Sequence, residues 1–550
     1  MRTGGHVLAE QLRLQGVDTV FSVPGESFLP LLDGLYDARD EITLIVNRHE
    51  GGSAKMADAY GKLTGRPGIV LVTRGPGATN AAIGLHTAFQ DSTPLILFIG
   101  QVERAHLGRE AFQEVDHRRL FSELTKWAEQ IDDVEQIPQL VSRAFDVALS
   151  GRPGPVALAL PADMLAEPTD VGVATPAPVA AAQPSTSEVE AARAALAAAH
   201  RPLVIVGGGG WTAEAGRDLL EFVESSEIPI AASFRCQDYV DNRSNSYVGA
   251  LGVGHDPRLT ERVRECDLLF VIGSRLGEIT TRGYTLIDIP RPTPAMVHVQ
   301  PGADELGRVY EADVAIHSGS GPFIAALRDA GPVHGPWREW TRAARADHLD
   351  HRQPPPGAPE VDLAEMIRYL SDRLPDDAII ANGAGNYSIW AHRFYEFRQF
   401  RTQLGPTSGA MGYAIPAAIA AKVVHPERIA VGVTGDGDAL MTIQELATAA
   451  QYSLDPIIVV VNNSSLGTIR MHQERRFPGR VHGTGLANPD FVALAAAFGG
   501  HGELVEHTED FAPAFERCLD ADRFSLIDVR VDPDQLTPDT TVADIRAAAY

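Results

Sequence analysis

Short apolar runs of strand length alternate along this chain with stretches whose apolar residues recur at helical spacing, which predicts repeated β-α units and parallel sheets. Helix-spaced Val7, Leu8 and Leu12 lead into a strand from Val17 to Val23 and the turn Pro24-Gly25-Glu26. A strand over 42–46 runs into Asn47-Arg48-His49-Glu50-Gly51-Gly52, and a helix follows through Tyr60. The strand 68–73 ends in Arg74-Gly75-Pro76-Gly77-Ala78-Thr79-Asn80, read as a glycine-rich turn before another helix. Buried strands over 94–100 and 154–160 complete a first α/β domain, 1–165. Ala, Pro, Thr and Ser without apolar periodicity mark a linker over 166–188. A second α/β segment, 189–335, has strands at 203–206, 229–232, 268–272 and 296–299, with the glycine run Gly207 to Gly210 after the first. The proline-rich stretch 351–360, with Pro354-Pro355-Pro356, separates it from a third domain, 361–550.

The third domain holds the stretch that carries most chemistry. Gly435-Asp436-Gly437-Asp438 precedes a predicted helix from Leu440 to Tyr452 and a buried strand over 456–461, which closes on Asn462-Asn463. A parallel β-α-β unit brings both loops to the carboxyl ends of its strands, where open α/β sheets bind ligands. Asp436 and Asn463 then offer a carboxylate and an amide oxygen at one edge, a hard-oxygen site suited to Mg²⁺ on a diphosphate.

Composition narrows the classes. With 550 residues the chain needs several cores, and its 44% hydrophobic and 22% charged content is that of an ordinary globular protein. A formal net charge of −25 argues against nucleic acid or an anionic membrane as partner. Cys236, Cys266 and Cys518 are scattered without metal-ligand spacing, and no basic-then-apolar stretch opens the sequence, so a cytoplasmic protein is expected. The run at Gly207 lacks the spacing and ribose-binding acid of a dinucleotide fingerprint, which leaves a nucleotide-binding oxidoreductase as a lesser alternative.

Three separated motifs agree: Arg48-His49-Glu50, Gly409-Ala410-Met411-Gly412, and Gly435-Asp436-Gly437 through Asn462-Asn463. Together they resemble the thiamin diphosphate (ThDP) enzyme family, in its acetolactate synthase-like and 2-oxo acid decarboxylase branch. Gly75-Pro76-Gly77-Ala78-Thr79-Asn80, Gly100-Gln101-Val102 and Gly151-Arg152-Pro153-Gly154-Pro155 extend the likeness over nearly the whole chain. The resemblance implies three doubly wound parallel-sheet domains, binding the pyrimidine, a middle fold and the diphosphate. It also implies a pocket shared between two subunits, hence a homodimer or homotetramer.

The resemblance further implies roles. Glu50 would relay a proton to the aminopyrimidine, and Met411 would hold the cofactor bent between its rings, with the Gly409 carbonyl on the amino group. Asp436, Asn463 and the Ser465 carbonyl would hold Mg²⁺. Pro24, Gly25, Asn80, Asn386, Tyr387, Gly435, Gly437, Asp438, Leu466 and Gly467 would also line the cofactor. Chemistry would pass through a C2-enamine after loss of carbon dioxide from a small 2-oxo acid. Glu26, Phe112, Gln113 and His472 are the residues expected to face it. His472 stands where acetohydroxyacid synthases carry a tryptophan, and Ser274-Arg275-Leu276-Gly277-Glu278-Ile279 lacks their Asp-Asp-Arg continuation. Both departures argue against branched-chain biosynthesis and a required FAD. A 2-hydroxyacyl-CoA lyase or oxalyl-CoA decarboxylase-like enzyme is the alternative within the fold. A non-catalytic ThDP-binding relative is disfavoured because Glu50 is present.

Overall fold

A computed structural model describes residues 2–176, 178–355, 357 and 359–548; Pro356 of the expected second linker lies outside them. Among the described residues, each of the three expected α/β segments forms a six-stranded sheet with all pairs parallel. In the first, β1 (Thr19–Ser22), β2 (Thr43–Val46), β3 (Gly68–Val72), β4 (Leu95–Gln101), β5 (Trp127–Gln130) and β6 (Pro155–Pro161) run in spatial order 2-1-3-4-6-5. Every residue of β3, β4 and β6 is buried, as expected of central strands covered by helices on both faces. The helix Gly4–Leu14 contributes Val7, Leu8 and Leu12 to that core.

The second sheet contains β7 (Pro202–Val206), β8 (Ile230–Ala232), β9 (Tyr247–Ala250), β10 (Leu268–Ile272), β11 (Ala295–Gln300) and β12 (Val314–His317), in order 9-8-7-10-11-12. The third contains β13 (Ile379–Asn382), β14 (Gln403–Leu404), β15 (Ala430–Gly435), β16 (Ile457–Asn462), β17 (His501–Val505) and β18 (Ser525–Arg530), in order 14-13-15-16-18-17. The adjacent strands β13, β15 and β16 thus end side by side, followed by the segments that begin at Gly383, Asp436 and Asn463.

The chain divides into two compact units. One holds residues up to 180 with 415–425 and 442–452, and the other holds the second and third sheets. Within the latter, Asp238 Oδ2 accepts from the backbone N–H groups of Thr402 and Gln403 at 3.0 and 3.1 Å, and burial pushes its carboxyl up to about 6.

Two expectations change. The predicted helix from Leu440 to Tyr452 is instead a helical turn Asp436–Ala439, a 3-10 turn Ile443–Glu445 and a helix Leu446–Gln451. Thr442, at φ −142° and ψ 19°, breaks it. The glycines after β3 are not a loop: the helix Gly75–Asp91 begins at once, with Pro76 in its first turn and Arg74 as N-cap. No helix of the described residues is long and apolar enough to cross a membrane.

Candidate active site

In the first unit, Glu50 opens the helix Glu50–Thr64, a position where the helix N-terminus favours a carboxylate. The N-cap is His49, whose Nδ1 accepts from Gly51 N–H at 2.9 Å. Glu50 is buried, at 9% exposure, and its Oε2 accepts from Asn80 Nδ2 at 2.9 Å. Its Oε1 lies against Gly77, where an added Cβ would sit 3.3 Å away.

The approach to Glu50 is held by Glu445, for which the sequence offered no signal. Its carboxylate accepts from the backbone N–H groups of Arg48 and His49, at 3.2 and 3.0 Å, and from Thr448 Oγ1 at 2.7 Å. Burial pushes this carboxyl up, while those donors pull the other way. An added Cβ at Gly52 would meet Glu445 Oε1 at 2.4 Å, so a larger residue there would displace the Glu445 carboxylate.

Around the same sheet edge, Gly25 packs so closely that a Cβ would lie 2.5 Å from that of Thr73. Glu26 is exposed and begins a 3-10 turn, and Pro24 is exposed beside it. The Gln113 carbonyl accepts from Gly75 N–H at 3.0 Å, and Phe112 is 74% exposed.

In the second unit, every residue named above for the third domain's cofactor and metal lines one cavity of about 190 Å³: Asn386, Tyr387, Gly409, Met411, Gly435, Asp436, Gly437, Asp438, Asn463, Ser465, Leu466 and Gly467. His472 is not among them; it sits exposed on the helix Gly467–Arg476. Helical starts at Asp436, Ser388 and Gly467 converge here, so peptide dipoles favour an anion. Gly409 has φ +69° with open space where a Cβ would point, and a Cβ at Gly467 would lie 2.8 Å from Asn463 Nδ2. These bare backbones form a cradle that larger residues would fill.

Asp436 is 2% exposed, and burial raises its carboxyl above the usual range although Asn488 Nδ2 donates to its Oδ2 at 2.7 Å. Backbone N–H groups of the same turns, including that of Gly437, also lower it, yet burial outweighs these donors, and a buried carboxylate in that balance suits a cation. Asn463 Oδ1 accepts from Ser465 N–H at 3.0 Å, fixing the turn that carries the Ser465 carbonyl. Asn488, Thr468 and Ala384 were not anticipated. Asn488 also donates to Asn462 Oδ1 at 2.9 Å, which links both strand ends.

Asp438 was expected to line phosphates, but its carboxylate faces protein donors. Oδ2 accepts from Ala384 N–H at 2.9 Å and from Tyr387 Oη, and Oδ1 accepts from Gly412 N–H. It braces the two turns that flank the cavity, and the Tyr387 hydroxyl and the Asn386 amide, bonded to the Leu536 carbonyl, are likewise committed. Arg235 from the second sheet adds a clamp: Nη2 donates to Gly383 O at 2.7 Å and Nη1 to Pro406 O, at the starts of the same turns. Arg235→Met removes two charge-assisted hydrogen bonds, each worth about 1.5–3 kcal/mol. The expected result is ThDP affinity about tenfold weaker or worse, read by fluorescence titration; an unchanged affinity would show that the turns hold themselves.

The glycine run after β7 is spent on its own core. Trp211 Nε1 donates to Gly207 O at 2.9 Å, Tyr239 Oη donates to Gly208 O, and a Cβ at Gly208 would lie 2.1 Å from Gly273 O. The strand order reverses between β7 and β10, where a dinucleotide would bind. The backbones of Gly208 and Gly273 meet at that point.

A cradle of helix starts beside a buried carboxylate lies on the third of three parallel α/β sheets, at the strand ends that carry the sequence motifs. The chain matches the family models for the N-terminal TPP binding domain over residues 2–120, the central domain over 189–327 and the C-terminal TPP binding domain over 383–529 of thiamine pyrophosphate enzymes. It belongs to the thiamine pyrophosphate enzyme family, in its acetolactate synthase-like branch. It is similar to the acetolactate synthase isozyme 2 large subunit of Escherichia coli, 33% identical over 533 residues covering 96% of this chain and 95% of that protein. The acetolactate synthase large subunits of Parasynechococcus marenigrum and Corynebacterium glutamicum are 33% and 31% identical, covering 96% and 97% of this chain and 87% of each relative.

Proposed function

We propose that this enzyme is a ThDP- and Mg²⁺-dependent decarboxylase or carboligase acting on a small 2-oxo acid. The observation that carries the reading is the cavity at the ends of β13, β15 and β16, where Asp436, Asn463 and Ser465 meet the bare backbone of Gly435, Gly437 and Gly467. Asp436 Oδ, Asn463 Oδ1 and the Ser465 carbonyl would hold Mg²⁺, whose charge offsets the burial of Asp436 and draws in the diphosphate. The helix starts at Asp436, Ser388 and Gly467 complement the remaining phosphate charge.

Bound ThDP supplies a nucleophilic carbon that adds to the 2-oxo group and holds the electron pair released with carbon dioxide. The protein's part is positioning and proton handling. Met411 and Gly409 line the cavity, where Met411 would offer the cofactor an apolar wall and the Gly409 carbonyl an acceptor. Glu50, fixed through Oε2 by Asn80, holds the proton exchanged with the pyrimidine ring at Oε1. Glu26 and Gln113 would face the substrate, and His472, exposed outside the cavity, would reach it only from its rim. In protonation the 2-oxo acid and a proton yield carbon dioxide and an aldehyde; in ligation a second carbonyl compound is captured as a hydroxy ketone.

A pocket shared between two copies of the chain, as the family resemblance implies, would make the enzyme a homodimer or homotetramer, and we place it in the cytoplasm. The test is incubation of the holoenzyme with a panel of 2-oxo acids, following carbon dioxide release and product mass. Release from at least one is expected. No release from any, with turnover of CoA thioesters instead, would overturn the reading.

A further inference from the structure

Arg74 is a cation where two physical effects disfavour one. It is the N-cap of the helix Gly75–Asp91, whose N-terminus carries partial positive charge, and its side chain is only 15% exposed. A guanidinium presents a fork of N–H donors that must be satisfied when withdrawn from water. Here the side chain's one hydrogen bond among the described residues runs from Nη1 to Glu26 Oε1 at 3.3 Å, and its Nε is buried without a partner. Glu26 is itself 71% exposed, so this single long contact returns little.

The position is set by the fold. Gly75 N–H is held by the Gln113 carbonyl at 3.0 Å, and Thr73 Oγ1 and Ser27 Oγ are hydrogen-bonded at 2.9 Å. Arg74 therefore lies between the turn after β1 and the loop bearing Gln113. Three residues on, in the same helix, Gly77 abuts Glu50 Oε1. The guanidinium and Glu50 share one sheet edge with Glu26 and Gln113.

We propose that Arg74 is a specificity-determining residue that binds a carboxylate which the substrate keeps through the reaction; this rests on the 2-oxo acid reading above. An anion there would satisfy the empty donors and answer the charge of both the guanidinium and the helix start, and a carboxylate fits the fork in two-point fashion. The carboxylate that leaves as carbon dioxide is excluded by energetics. Its charge disappears in the transition state, so a cation gripping it would stabilise the ground state more and slow the loss. A retained carboxylate has two sources: the far end of a dicarboxylic donor, or the carboxylate of a 2-oxo acid acceptor.

The test compares wild-type, Arg74→Met and Arg74→Lys holoenzymes, the lysine variant keeping the charge should the methionine variant fail to fold. Glutarate is titrated calorimetrically as a non-reacting probe. Kinetics are measured with 2-oxoglutarate against 2-oxopentanoate as donors, and with a 2-oxo acid against an aldehyde as acceptors. Arg74→Met is expected to weaken glutarate binding and raise KM for the carboxylate-bearing partner by about tenfold or more, with the carboxylate-free partner little changed. Arg74→Lys should fall between. A shift confined to donors identifies the dicarboxylic source, and one confined to acceptors the other. Equal shifts for both kinds of partner, or no shift with unchanged glutarate binding, would overturn the proposal. Glutarate binding that depends on Arg74, with no carbon dioxide from any 2-oxo acid, would instead defeat the reaction assignment and leave the carboxylate site standing.

Discussion

Glu50→Gln is expected to lower turnover by about 10²–10⁴-fold while leaving ThDP affinity within a few-fold. The substitution keeps size and one carbonyl oxygen, so Asn80 Nδ2 retains an acceptor in place of Glu50 Oε2. The amide neither gains nor releases a proton near neutral pH, so only the relay is removed. Local structure should persist, because the segment 47–49 is held by Glu445 and by the His49 cap rather than by the Glu50 carboxylate. Steady-state carbon dioxide release checks the first half of the expectation and a ThDP titration the second. Unimpaired turnover would remove Glu50 from the mechanism, whereas lost ThDP binding would make it a structural contact.

That the third-domain residues would line one cavity was legible because most of them are local. Apart from Gly409 and Met411, which follow the two-residue β14, these groups follow the ends of strands whose apolar runs are visible, and adjacent parallel strands bring those ends together. What escaped depends on partners far apart in the chain. Asn488 meets Asp436 across 52 positions from a stretch without regular structure, and Arg235 reaches Gly383 across 148. Asp438 was identified as a lining residue, yet its carboxylate direction is decided by Ala384, Tyr387 and Gly412. The helix expected through Tyr452 breaks at Thr442, and Glu445, inside the expected span, accepts from the backbone before Glu50. Edge strands gave weak signals too, since β14 has two residues and all of β5 is half-buried. Arg74 did leave a trace in the sequence, a cation at a strand-to-helix junction where an oxygen-bearing cap is usual.

Asp436→Asn is expected to weaken Mg²⁺-dependent ThDP binding by more than about a hundredfold and, at neutral pH, to leave the apoprotein as stable as the parent or more so. The two effects have one origin. Burial raises the Asp436 carboxyl, so in the folded apoprotein its charged form is disfavoured relative to the unfolded chain. A raised carboxyl contributes stability at acid pH that is lost as pH rises through its folded value. At neutral pH the ionised group is thus a liability until a cation arrives, and a neutral amide of the same shape removes it. Asn488→Ala acts one step further out by deleting the donor to Asp436 Oδ2, and should weaken the metal by about 10–100-fold. Thermal melts of chelator-treated protein, paired with ThDP titrations at fixed Mg²⁺, separate the arms. A variant that melts lower as apoprotein yet binds Mg²⁺-ThDP normally would show that Asp436 serves the fold rather than the metal.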